Sequence, residues 1–215
     1  MQEIDFYNRL LGPFTCLVAG PTGCGKTELV FSLIERAETL IHPPPSRVVY
    51  CYGAWQSKFE KYRDRVQFHE GLLSREEIIS KADAQHTLLI IDDLMDASNA
   101  TLIKDIFIKW SHHTNTSVVV ITQNLFLPHK DYRTVSLNAH YMIIFKNPRD
   151  GSQILSMARQ VFPHNPTFLS EVYNKETGNR HSYLLLDFKQ GTPDALRVRQ
   201  SVTSPRATTV FVPRK

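Results

Sequence analysis

The run FTCLVAG (residues 14–20) is apolar throughout and passes directly into a glycine-rich turn, then into KTELVFSLIERAETL (residues 26–40). The first run reads as a buried strand, and Leu29, Phe31, Leu33 and Ile34 interleave with polar residues as a helix requires. Further apolar runs alternate with helical patterns along the chain, which argues for an α/β fold with a mostly parallel sheet. The turn, Gly20-Pro21-Thr22-Gly23-Cys24-Gly25-Lys26-Thr27, matches G-x-x-x-x-G-K-[ST] in full. Glycines there let successive backbone N–H groups converge on a phosphate, and the helix N-terminus adds positive potential. Lys26 is expected to reach the β- and γ-phosphates of ATP, and the Thr27 hydroxyl to join a Mg2+ shell. Cys24 occupies an unconstrained position of the motif.

The remaining elements follow in order. IHPPPS (41–46) stops the first helix, because proline cannot supply an interior N–H and disfavours helix in the residue before it. RVVYCYG (47–53) is the next strand, VQFHEG (66–71) a short one, and SREEIISKA (74–82) a helix whose Ser74 and Glu77 have capping-box spacing. TLLIIDDLM (87–95) is a strand, followed by a helix over 99–112, then the strands SVVVITQN (117–124) and HYMIIFKN (140–147). A helix over 151–162 precedes a C-terminal hairpin or late strand pair, SYLLLDF (182–188) and ALRVRQSV (195–202), separated by KQGTPD.

Asp92 and Asp93 close an apolar strand, where two acids are costly unless a metal, water or partners compensate them. In phosphate-loop proteins of this pattern the first acid serves the Mg2+ shell and the second polarises the attacking water. Asp93 could instead cap the following turn. Gln123 ends the next strand. If that strand lies between the two preceding ones, Gln123 stands at the γ-phosphate; otherwise it is an ordinary strand-end amide. A guanine-binding N-K-x-D is not formed by NKET (174–177), which reads as a helix end.

With 215 residues the chain suits one domain, assigned to 1–203, with a basic tail over 204–215. No apolar run is long enough to span a membrane, and the N-terminus has no apolar signal-peptide core. Cys16, Cys24 and Cys51 have no metal-ligand or CxxC spacing, and an odd count argues against a disulfide framework, so a reducing intracellular compartment fits. The net charge of +4 is mild, but residues 189–215 carry Lys189, Arg197, Arg199, Arg206, Arg214 and Lys215 against the single acid Asp194. Arg197 and Arg199, two residues apart on an expected strand, are candidate contacts to DNA phosphates together with the tail; a subunit interface is the equal alternative.

GPTGCGKT, LLIIDDLM, HHTNTSVVVITQNLF, RTVSLNAHYMIIFKNPRD and MARQVF together resemble the viral genome-packaging ATPases of the FtsK–HerA superfamily, most of all the poxvirus-type branch found in Maverick/Polinton elements and adintovirus-like viruses. The resemblance runs from residue 14 to about residue 202. It implies a RecA-like additional-strand fold and a ring-forming homo-oligomer that drives double-stranded DNA into a preformed capsid with ATP and Mg2+, in the host nucleus or a cytoplasmic assembly site or held in the virion. It also implies capsid vertex proteins as partners. Carried over by position, Lys26 and Thr27 bind phosphate and metal, Asp92 serves the metal, Asp93 takes the catalytic-acid place and Gln123 that of the sensor. Asp93 stands where many members have glutamate. A neighbouring subunit's arginine completes each site in such rings; Arg133 is the first candidate, Arg149 the second, and Arg159 is also available. The alternatives are a helicase or conjugative pump of the same superfamily, a nucleotide-dependent assembly factor that does not move DNA, and a small-molecule kinase with FKNPRDGSQ (145–153) as its lid.

Overall fold

The computed structural model describes residues 8–80, 85–126, 129–202 and 208–213. In chain order the elements are β1 (Leu10–Leu11), β2 (Thr15–Ala19), α1 (Lys26–Glu35), α2 (Ala37–Leu40), β3 (Ile41–His42), β4 (Arg47–Tyr52), a 3-10 helix (Ser57–Tyr62), β5 (Gln67–Glu70), α3 (Arg75–Ser80) and β6 (Thr87–Asp92). Then come α4 (Ala100–Asp105), β7 (Thr116–Thr122), α5 (Lys130–Leu137), β8 (Tyr141–Phe145), α6 (Gly151–Val161), α7 (Pro166–Glu176), β9 (Tyr183–Asp187), β10 (Val198–Arg199) and β11 (Val210–Phe211). α4 runs on through a π-helical turn, Ile106–Trp110, into Ser111–His113.

Nine strands form the main sheet in the order β11-β10-β9-β8-β2-β7-β6-β4-β5. From β8 to β5 every pair is parallel, and β9, β10 and β11 extend the other edge antiparallel. The expected α/β fold with a mostly parallel sheet and a C-terminal antiparallel pair is therefore the observed one. β7 lies between β2 and β6, with Ala19 opposite Thr122 and Asp92 opposite Ile121. That insertion gathers Gly20, Asp92 and Gln123 at the same C-terminal edge of the sheet, where ligands of open α/β sheets bind.

Period-two alternation sends successive strand residues to opposite faces. Leu17, Leu89, Val118 and Val120 belong to one core with Ile103, Val135, Met157 and Leu169, on the face covered by α4–α7. Val18, Ile90, Val119 and Ile143 belong to the other with Val30, Phe31, Leu33 and Ile34, on the face covered by α1. Because both faces are buried, the central strands read as unbroken apolar runs rather than as alternating ones.

Several local expectations take definite form. Ser74 N donates to Glu77 Oε2 at 2.8 Å and Glu77 N to Ser74 Oγ at 3.2 Å, the reciprocal capping box. NKET closes a helix, since α7 ends at Glu176 and the Thr177 hydroxyl turns back to Tyr173 O at 2.6 Å. The first helical run is shorter than its pattern: it breaks at Arg36, whose φ of −115° and ψ of 19° are not helical. α5 was not foreseen. It is tied to the segment after β6 by the Tyr132 hydroxyl, which donates to Asp96 O, and to α4 by Asp131, which accepts from Thr101 Oγ1 at 2.9 Å and Lys104 Nζ at 3.1 Å.

The largest correction concerns the basic C-terminal residues. Arg199 is not on the surface: it is 1% exposed, and its Nη2 lies 2.6 Å from Asp187 Oδ2. The other Asp187 oxygen accepts from Lys189 N and Thr192 Oγ1, both at 3.0 Å. Arg197 does not share a strand face with Arg199, because β10 starts at Val198 and Arg197 has right-handed helical torsions. Its guanidinium is held by Asp194 Oδ1 at 2.7 Å and by the carbonyls of Asp187 and Lys189. Lys189 Nζ donates to Leu11 O and Pro13 O. A charge buried as deeply as Arg199 persists only when paired and hydrogen-bonded, so Arg199 holds β10 to β9 and is not available to DNA, while the partly exposed Arg197 and Lys189 are tied to neighbouring carbonyls. Arg206, Arg214 and Lys215 lie outside the described residues, and residues 210–211 of the segment read as a tail return to the sheet as β11.

Candidate nucleotide site

Between β2 and α1 the chain makes a loop that only glycine fits at two points. Gly25, the residue before α1, has φ of 107°, and a side chain there would also approach His181 Nδ1 to 3.1 Å. A Cβ on Gly20 would stand 2.7 Å from Phe145 Cβ and 2.8 Å from Cys24 Sγ. The loop is braced from outside by His181, whose Nδ1–H donates to Cys24 O at 3.0 Å. Burial pushes the Cys24 thiol up, with Lys26 opposing, so it is not a reactive thiolate. Lys26 Nζ lies over the loop, donating to Gly20 O at 2.6 Å and Pro21 O at 3.0 Å.

This loop walls a cavity of about 380 Å³ that also touches Thr27, Asp92, Asp93 and Gln123. The volume falls within the roughly 300–1,000 Å³ of small-molecule sites. Asp92 is 6% exposed, and the Tyr50 hydroxyl donates to its Oδ2 at 2.6 Å. Burial pushes the Asp92 carboxyl above the usual range and Asp93 adds to this, while Tyr50, Lys26 and Lys58 oppose it. Burial and the neighbouring Asp92 drive the Tyr50 hydroxyl upward, so Tyr50 stays a donor. Asp93 is exposed, with φ of 56°, a left-handed conformation uncommon outside glycine and typical of functional turns. Gln123 Nε2 donates to Asp93 Oδ1 at 3.3 Å, so the two strand ends meet side chain to side chain.

The donors and acceptors suit a nucleotide with Mg2+. Lys26 and a helix N-terminus border the cavity where a phosphate would lie, and one hydroxyl with one buried carboxylate is the sparse protein set Mg2+ takes when phosphates and water complete it. Among the described residues no group of three or more His, Cys, Asp or Glu side chains is placed to hold a metal by itself. The candidate arginines lie elsewhere. Arg133, Arg149 and Arg159 are exposed, and none lines this cavity; Arg133 lines a groove of about 550 Å³ with Phe126, Leu137 and Gln153. Three residues at the cavity had no local signal in the sequence: Gln56, just before the 3-10 helix, Lys58 within it, and His181.

No protein-family model matches the chain, and no curated protein matches it in sequence. Among solved structures, the genome packaging NTPase B204 from Sulfolobus turreted icosahedral virus 2, in complex with sulfate, aligns over 94% of this chain and 97% of that one, with a TM-score of 0.55 and 13% identity. The fold is shared. The same protein in complex with ATP-gammaS covers 93% of this chain and 97% of its own, with a TM-score of 0.51 and 14% identity. The near-complete coverage of both chains makes this a likeness of whole domains rather than of the phosphate loop alone.

Proposed function

We propose that this chain is an ATP-hydrolysing motor that translocates double-stranded viral DNA into a preformed capsid, as a homo-oligomeric ring docked on capsid vertex proteins. The observation that carries the reading is the meeting of Lys26, Thr27, Asp92, Asp93 and Gln123 around one cavity, at the edge of a sheet with β7 inserted between β2 and β6. The poxvirus-type branch of the FtsK–HerA superfamily is the lineage proposed, on the motifs given above.

In this reading the backbone from Gly20 to Thr27 cradles the phosphates and Lys26 neutralises the β- and γ-oxygens. Thr27 and Asp92 would hold Mg2+, which would supply charge neutralisation on the phosphates. Asp93 orients and deprotonates the attacking water, and Gln123, already bonded to Asp93, holds that carboxylate and senses the γ-phosphate. An exposed arginine of the next subunit, Arg133 before Arg149, stabilises charge on the transferring group. A kinase lid is disfavoured at 145–153, where Asn147 is buried, its N–H donates to Tyr173 Oη at 2.9 Å, and its Oδ1 takes Arg149 N at 3.1 Å.

Two measurements test this. Long double-stranded DNA is expected to stimulate ATP hydrolysis, with a stimulation that falls as salt rises because phosphate contacts release counterions; nucleoside acceptors are expected to do nothing. Phosphorylation of an added nucleoside, or indifference to DNA, overturns the motor reading. Separately, Asp93→Asn is expected to keep Mg·ATP binding and to lose about 100-fold or more in turnover. Hydrolysis near the parent rate in that variant moves the base elsewhere.

A further inference from the structure

We propose that Lys58 is a second phosphate-binding cation, held by Glu28 at the cavity wall and passed to the γ-phosphate when a nucleoside triphosphate binds. The inference rests on the nucleotide reading above and extends it to a residue outside the phosphate loop. Lys58 lines the same cavity as Lys26, Asp92 and Asp93. Its Nζ is 3.1 Å from Glu28 Oε1, and Glu28 lies in the first turn of α1, two residues after Lys26. Lys58 and Lys26 are the two lysines whose charge acts on Asp92. The cavity therefore has two lysines, Lys26 and Lys58, whose charges act on its buried acid.

The lysine is placed by packing. The 3-10 helix that carries it is anchored by Phe59, which is 0% exposed and packs on Phe31, Tyr50 and Phe68 with ring centroids 5.8, 5.1 and 4.9 Å apart. Tyr50 is also the residue that fixes Asp92. One aromatic unit thus sets both the metal acid and Lys58. The side chain of Lys58 is one-third exposed and that of Glu28 is 73% exposed, so the ion pair that holds the lysine is weak and exchangeable. A polyanionic γ-phosphate in a partly enclosed cavity outcompetes a solvated carboxylate for an ammonium. Adenosine diphosphate lacks the group Lys58 is placed to meet, so the residue discriminates triphosphate from diphosphate.

Calorimetric titration of the full chain with Mg·AMPPNP and with Mg·ADP tests this without recourse to turnover. Lys58→Gln removes the ammonium, whose Nζ lies 6.0 Å from the Phe31 ring centroid, and keeps the first part of the aliphatic stem. It is expected to weaken AMPPNP binding about 10-fold and to leave ADP binding unchanged, the loss of one charge-assisted contact. Lys58→Arg is expected to retain the preference, and Glu28→Gln, which releases the lysine, to tighten AMPPNP alone. Equal changes for the two nucleotides, or none, in a Lys58→Gln protein with parental melting temperature overturn the assignment of Lys58 while leaving the ATPase reading intact. A parent chain that binds neither nucleotide overturns both.

Discussion

Lys26→Ala is expected to abolish nucleotide hydrolysis and to weaken Mg·ATP binding by about 100-fold or more, measured by calorimetry on the purified chain. A hydrogen bond to a charged group contributes about 1.5–3 kcal/mol, and an ammonium bridging two phosphates makes two of them. The native contacts of the side chain go to the carbonyls of Gly20 and Pro21. Gly20 is buried and Pro21 half-buried, so the variant is expected to lose about 1–3 kcal/mol of stability through an unpaired carbonyl while affinity collapses. Unchanged affinity removes the phosphate assignment, and with it the reading of the whole cavity.

Arg199→Met is expected to destabilise the fold by about 3–5 kcal/mol in equilibrium urea unfolding, because it leaves Asp187 buried without its counter-charge. The pH dependence has a definite sign. Burial already pushes the Asp187 carboxyl up, and Arg199 opposes that push; without the arginine the folded-state value rises further. A carboxyl raised in the folded state favours folding fully only below its unfolded value and loses that contribution as pH rises through the folded one. The deficit is therefore greatest at neutral pH and narrows on acidification toward the ordinary carboxylate range. Adding Asp187→Leu to Arg199→Met is expected to recover part of the loss, although Lys189 N and Thr192 Oγ1 then lose their acceptor. A single variant as stable as the parent at every pH shows that the pair contributes nothing.

The contrast between these two cations shows what can be read from a sequence of this kind. Lys26 is legible because its role is local: a strand, a turn of fixed length and a helix place it within eight residues of chain. The apolar strands β2, β6 and β7 are legible for the same reason, since burial on both faces writes itself into every residue. Arg199 is not legible, because its burial depends on Asp187, which stands on the neighbouring strand and is separated from it by a turn. Counted along the chain, it joins a basic stretch; counted in space, it is half of an internal pair. Lys58 was missed for a related reason. Its place follows from Phe59 packing on rings contributed by α1, β4 and β5, and no spacing rule connects those positions. α5 escaped because only some of its residues, Tyr132 and Val135 among them, face the core, too few to mark a period over eight residues.

The tie between α5 and the strand ends has a mechanical consequence. Asp96 follows Asp93 by three residues, and its carbonyl accepts from the Tyr132 hydroxyl. Arg133, the next residue, is exposed. The segment after β6 is therefore joined to a surface arginine through one hydrogen bond and one residue of helix. Asp131, braced against Thr101 and Lys104, ties α5 to α4. In the proposed ring, this short path would carry chemistry at the cavity edge to whatever surface lies against α5.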